Sequence, residues 1–200
     1  MRPRPAQAPQ PGDNPDMGEQ KDRMLRGEVF GYRDAELLAD RERGTKLVER
    51  FNRTGRDETE TRLAILEELL GHIGADVDIA GPLYCEYGTQ ITIEDDVFIN
   101  VNVMLLDVAP IVIKRGAMLG PGVQLLTATH PIEAAERRKK LEQGKPITIG
   151  EEVWLGAGAI VLPGVTIGDR TTVGAGSVVT KDLPPDVLAL GSPARVIRRI

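Results

Sequence analysis

Counting every sixth residue from Ile149 gives Ile149, Leu155, Val161, Ile167, Val173 and Val179, an unbroken aliphatic series that constrains the chain more than any other feature. The position after each reads Gly150, Gly156, Leu162, Gly168 and Gly174, and the fourth after each reads Val153, Ala159, Val165, Thr171 and Ser177. A period of six fits neither the turn of an α-helix nor the heptad of a coiled coil. It fits a coil of three short strands, about 18 residues per turn, with one aliphatic per strand pointing inward and a glycine-tolerant corner behind it. Two earlier registers run Ile93, Ile99, Leu105 and Ile113, Leu119, Leu125, displaced by two extra residues around Ala109 and Pro110. Residues 91–183 predict roughly five coils stacked on a narrow aliphatic column, and such a column explains why aromatic residues make up only 4% of the chain. The fold class is therefore mainly β, a parallel β-helix. In this context Gly156-Ala157-Gly158 and Gly174-Ala175-Gly176 are corners of the repeat, since a dinucleotide fingerprint needs a third glycine and a following helix.

The remaining segments are arranged around that coil. Residues 1–20 carry prolines at positions 3, 5, 9, 11 and 15 with almost no aliphatic side chains, which predicts a disordered tail. Residues 21–75 read as helical: Leu37, Leu38, Leu47, Val48 and Phe51, then Leu63, Leu66, Leu69 and Leu70, recur at spacings of three and four. Asp34 is placed to cap the first of these helices, Gly44 weakens it, and His72 falls where it would serve the end of the second. The coil is expected over 76–183, interrupted by a polar loop at 129–146 that holds Arg137, Arg138, Lys139 and Lys140. Residues 184–200, with Pro184, Pro185 and Pro193, form a C-terminal cap.

Composition narrows the possible functions. The formal charge of −5 and the absence of a basic excess in either half argue against a nucleic-acid surface. No apolar run approaches the roughly 18 residues of a membrane span, and the single cysteine, Cys85, excludes an intrachain disulfide, so a cytoplasmic location is expected. With only His72 and His130, one chain cannot supply a three-histidine zinc site, and no metal is expected.

His130 opens the interrupting loop, in Thr127-Ala128-Thr129-His130-Pro131, and strand alternation points its ring outward. An imidazole held at a rigid edge is suited to take a proton from a hydroxyl. Trp154, the only tryptophan, shares that outward phase and reads as part of a ligand wall or an interface. Asn100 and Asn102, near Asp107, could bind a polyhydroxylated ligand or serve as polar corner residues. Lys181, Arg195, Arg198 and Arg199 gather cations near the C-terminus, which suits either a phosphate-bearing cofactor or a charged cap.

From residue 22 onward the chain resembles the hexapeptide-repeat sugar O-acetyltransferases, the maltose and galactoside acetyltransferase family that includes nodulation acetyltransferases. The resemblance is carried by Met24-Leu25-Arg26-Gly27-Glu28 with Asp34, Leu106-Asp107-Val108-Ala109-Pro110, the His130 segment, Gly144-Lys145-Pro146-Ile147, Val153-Trp154-Leu155-Gly156 and Gly191-Ser192-Pro193-Ala194-Arg195-Val196-Ile197. It implies a left-handed β-helix assembled as a homotrimer, with acetyl-CoA and a sugar acceptor meeting between subunits and no role for a membrane or nucleic acid. His130 matches the catalytic base and the Ala157 N–H the oxyanion donor. Trp154, Ala175, Thr180, Lys181, Arg195 and Arg198 match positions along the CoA groove, while Asp34, Glu86, Asn100, Asp107 and Glu142 match the acceptor side. Glu86 replaces a shorter residue there and Val101 an aromatic one. A polysaccharide, amino sugar or antibiotic as acceptor, or a non-catalytic scaffold, are the competing readings.

Overall fold

Each inward aliphatic of the six-residue series is fully buried, and together they form the axis of a three-walled prism of short parallel strands. The computed structural model describes residues 18–200; the expected tail lies outside the described residues except for its last three, of which Glu19 and Gln20 are helical. The first wall stacks His72–Ile73, Ile91–Ile93, Ile111–Ile113, Ile147–Ile149 and Thr166–Ile167. The second stacks Asp78–Ile79, Phe98–Ile99, Met118–Leu119, Trp154–Leu155, Thr172–Val173 and Val187–Gly191, the last joined by the antiparallel strand Ala194–Arg199. The third stacks Leu83–Cys85, Val103–Leu106, Gln124–Leu126, Ile160–Val161 and Val178–Val179. Register is in phase throughout, Ile93 beside Ile113 and Leu155 beside Val173, so every coil places its aliphatics on the same column.

Five complete coils run from His72 to Val179. They begin earlier than expected, because Leu70 leaves the helix with extended backbone (ψ 153°) and the chain enters the first wall at once. His72 is thus an exposed strand residue beside Thr92 rather than a helix-end residue. The interrupting loop adds no coil, so four of the five lie beyond residue 90. The fourth position of each repeat is buried as well, and where it turns polar, at Thr171 and Ser177, the hydroxyls secure the end of the chain. Thr171 Oγ1 donates to Pro184 O (2.7 Å), and Ser177 Oγ accepts the Gly191 N–H (3.0 Å).

Corners between walls require left-handed backbone. Asn102, Gly122, Gly158 and Gly176 supply it between the second and third walls, with φ of 59°, 70°, 67° and 67°, which gives Asn102 a structural reason to be asparagine.

Helices α1 (Glu19–Leu25), α2 (Ala35–Asn52) and α3 (Thr59–Leu69) close the N-terminal end. Asp34 caps α2 as expected, its Oδ1 accepting the N–H groups of Glu36 (3.0 Å) and Leu37 (3.3 Å). Leu47, Val48 and Phe51 of α2 and Ile65, Leu66 and Leu69 of α3 join the coil's core, whereas Leu38 and Leu63 face outward. Gly44 lies where α2 crosses the first coil: a Cβ there would stand 2.9 Å from the carbonyl oxygens of Glu86 and Tyr87. Among the described residues, no helix is long and apolar enough to cross a membrane.

Candidate active site

The prism is irregular at one corner, where the third wall passes into the first. Three of its crossings are 86–90, 107–110 and the whole segment 127–146, and buried polar side chains hold them. Asp107 accepts the N–H groups of Glu86 (3.0 Å) and Tyr87 (2.8 Å) at Oδ1 and that of Gln90 (3.3 Å) at Oδ2. Burial pushes its carboxyl up to about 6, against the pull of those hydrogen bonds. Asp107, expected on the acceptor side, therefore has its carboxylate turned inward to backbone. One coil above, Thr127 Oγ1 donates to Leu106 O (2.6 Å) and accepts the Ala109 N–H (3.0 Å), which fixes the point where the loop departs.

The loop is clamped by the N-terminal segment. Leu141–Gly144 is the middle strand of an antiparallel trio, paired with Ala128–Thr129 on one side and Phe30–Gly31 on the other. Gln143 Nε2 donates to Gly27 O (2.9 Å) across 116 residues of sequence.

His130 stands at the mouth of this clamp with its side chain 45% exposed. Its Nδ1 is 3.0 Å from Leu141 O, and a carbonyl only accepts, so the neutral ring carries its proton on Nδ1 and its lone pair on Nε2. The Tyr32 ring meets the imidazole edge to face, centroids 5.8 Å apart. The nearly buried Glu142 lies 3.6 Å from Nε2. Burial pushes the Glu142 carboxyl up; His130 and Arg41 pull it down and Glu86 adds to the rise. Arg41, from α2, closes on Glu86 at 2.5 Å, its Nε beside the carboxylate without hydrogen-bond alignment. The buried Tyr87 hydroxyl makes no well-aligned hydrogen bond among the described residues; burial pushes it up to about 12, against the pull of the neighbouring Arg41. A cleft of about 340 Å³ opens beside the ring, lined also by Val29, Pro131, Ile132, Glu133 and Lys145.

The other expected residues lie elsewhere on the chain. Asn100, Trp154 and Ala157 share a second cleft at the corner between the second and third walls, with Met118 and Phe98. This places Asn100 beside the residues matched to CoA, away from Glu142 and Glu86, and its Oδ1 accepts the Val101 N–H (2.8 Å). Trp154 is 50% exposed and Met118, its neighbour on the wall, 47%. Ala157 and Ala175 repeat the corner one coil apart, and among the described residues neither N–H has a protein acceptor. Thr180 and Lys181 follow the last strand of the third wall, and Arg195 and Arg198 sit exposed on the terminal hairpin without a carboxylate partner among the described residues. One chain thus carries His130 and Ala157 in two separate clefts. Tyr32, Arg41 and the Leu141 carbonyl were not legible: the first two sit in a helical segment about a hundred residues away, and a carbonyl has no side-chain signature. Cys85 is partly buried, and burial pushes its thiol up, away from the thiolate.

Comparison with known proteins gives consistent matches. The family described as Maltose acetyltransferase hexapeptide capping motif matches residues 23–74, and Bacterial transferase hexapeptide (six repeats) matches residues 146–181. Nodulation protein L of Rhizobium meliloti (strain 1021) is 46% identical over 88% of this chain and 97% of its own length. The crystal structure of a maltose O-acetyltransferase from Clostridium difficile 630 superposes with a TM-score of 0.89 at 44% identity, covering 90% of this chain and 97% of that one. A galactoside acetyltransferase in complex with coenzyme A superposes with a TM-score of 0.87 at 36% identity, covering 90% of each chain.

Proposed function

Since the chain belongs to the hexapeptide-repeat sugar O-acetyltransferases, an acyltransferase family, we propose that it transfers the acetyl group of acetyl-CoA to a hydroxyl of a maltose-, glucose- or galactoside-like sugar, with His130 as general base. The observation that carries this reading is the tautomer of His130: Nδ1–H is tied to Leu141 O, which leaves Nε2 basic on a ring that lines the open cleft. In a ternary complex Nε2 takes the acceptor proton while the oxygen attacks the thioester carbonyl. The resulting oxyanion accepts the Ala157 N–H, and its collapse releases the CoA thiol. Trp154, Ala175, Thr180, Lys181, Arg195 and Arg198 hold the CoA arm, small side chains admitting pantetheine and cations meeting phosphate. Asp34, Glu86, Asn100, Asp107 and Glu142 serve the acceptor side, Asp107 through the turn it braces and Glu142 through the histidine it faces.

The working unit is a homotrimer of left-handed coils in the cytoplasm, each site lying between neighbours. The separation of His130 from Ala157 within one chain supports this, as do the exposed apolar side chains. Ile132 on the loop is 89% exposed, and Met118 and Trp154 on the second wall are about half exposed, apolar surface of the kind that subunit contacts cover. The test is free-thiol release from acetyl-CoA with maltose, glucose, isopropyl thiogalactoside and glucosamine. The expected result is sugar-dependent release that disappears in His130→Ala; acetyl-CoA binding without release on any sugar points to another acceptor, and no binding overturns the proposal.

A further inference from the structure

We propose that Glu142, steadied by the Arg41–Glu86 pair, is a positioning residue that balances the charge of His130 while the ring carries the acceptor's proton; this rests on the acetyl-transfer reading and deepens it. Nε2, the nitrogen left basic by the Leu141 contact, is 3.6 Å from Glu142 Oε1. That is too long for a hydrogen bond, yet short for an ionic interaction with a carboxylate that is largely out of water. The backbone that carries Glu142 is held in place, since it lies in the middle strand of the antiparallel trio.

Charge arithmetic gives the arrangement its sense. Arg41 contributes one positive charge, Glu86 and Glu142 one negative charge each, so with a neutral ring the cluster is at −1 and with a protonated ring at zero. Around this cluster Tyr32, from the turn after Phe30–Gly31, touches the ring, Glu133 and Lys145 of the cleft offset each other, the Tyr87 hydroxyl lies with Arg41, and the Arg137 guanidinium is turned to the Pro131 and Ile132 carbonyls. The cluster is therefore balanced in the state the reaction must pass through. As the acceptor O–H bond breaks, its proton goes to Nε2 and its electron pair forms the bond to the acetyl carbon. When the carbonyl re-forms, the C–S bond breaks and the leaving sulfur takes the proton from Nε2. A carboxylate already beside Nε2, on a paired strand, favours the protonated ring with little reorganisation at the moment of transfer.

The test uses the full chain with Glu142→Gln and Glu142→Asp in a His72→Gln background, so that His130 is the only histidine. Three readouts are taken: kcat and both KM values against pH, the pH at which the His130 ring gains its proton by nitrogen NMR, and the thermal melt. In Glu142→Gln, kcat should fall about tenfold, the equivalent of one unit of protonation equilibrium. KM for acetyl-CoA should not change, the acid limb of the rate profile should move to lower pH, and the ring should gain its proton at lower pH. Glu142→Asp, with its charge one methylene farther away, should fall between. Ring protonation at the same pH in all three chains overturns the proposal, as does a change confined to the acceptor KM, which would make Glu142 an acceptor ligand. If Glu142→Gln fails to melt cooperatively, Glu142→Asp against wild type decides by the same ring measurement. A wild-type chain that transfers no acetyl group defeats the proposed function, while the ring titration still reads the pair.

Discussion

Ala157 can be deprived of its amide hydrogen without disturbing the coil, because Pro121 already stands at the equivalent corner one coil below, between Gly120 and Gly122. Ala157→Pro should therefore fold and melt like the wild type while kcat falls roughly 10²–10³-fold, the usual loss for one oxyanion donor. Unchanged kcat would remove the oxyanion role. Asp107 makes a pH prediction. Its folded carboxyl is raised to about 6 from an ordinary 3.8, so the folded chain binds the proton more tightly than the unfolded one. Stability from this group is then fully present below about pH 4 and is lost as pH rises through 6. The guanidinium stability of wild type relative to Asp107→Asn should decline by roughly 2 kcal/mol between pH 4 and 7, and a rise over that range would reverse the assignment. The imidazole, the tryptophan and the cap at Asp34 were legible because their chemistry lies in the side chain and their phase in the repeat. The inward turn of the Asp107 carboxylate was not, since it depends on three amides of a different coil.

Helix α2 is where local preference and packing conflict. An interior glycine is unfavourable in a helix by about 1 kcal/mol relative to alanine, yet Gly44 lies where a Cβ would press on two carbonyl oxygens at 2.9 Å. Gly44→Ala should lower stability by roughly 1–3 kcal/mol, read as a reduced melting temperature, and a more stable variant would show that the crossing can relax. The cap of the same helix separates two roles. Asparagine caps as well as aspartate, so Asp34→Asn should melt like wild type and Asp34→Ala should lose about 1 kcal/mol. A raised acceptor KM in both variants supports the acceptor role; no change in either leaves Asp34 a cap alone. The leucine spacing predicted these helices and most of their buried stripe. It did not show that Leu38 and Leu63 face outward, because which side of a helix is covered depends on the element packed against it.

Hybrid assemblies test the whole molecule. Homotrimers of His130→Ala or of Ala157→Pro should each be inactive, but unfolding and refolding them together in equal amounts should restore about a quarter of wild-type activity, the share of random neighbours that pair one intact His130 with one intact Ala157. No recovery would place both groups in one subunit's site. The sequence by itself determined the coil, its inward column, the place where the loop leaves it and the residue types that carry the chemistry. These follow from a period of six, which only a three-walled coil can bury, and from side chains whose chemistry is local. The tertiary structure alone decided that the N-terminal segment forms the third strand of the His130 clamp, that the Arg41–Glu86 pair lies close enough to Glu142 to bias its charge, and that His130 and Ala157 line different clefts. Those relations join residues up to about a hundred positions apart through packing and backbone carbonyls, which leave no periodic mark on the chain.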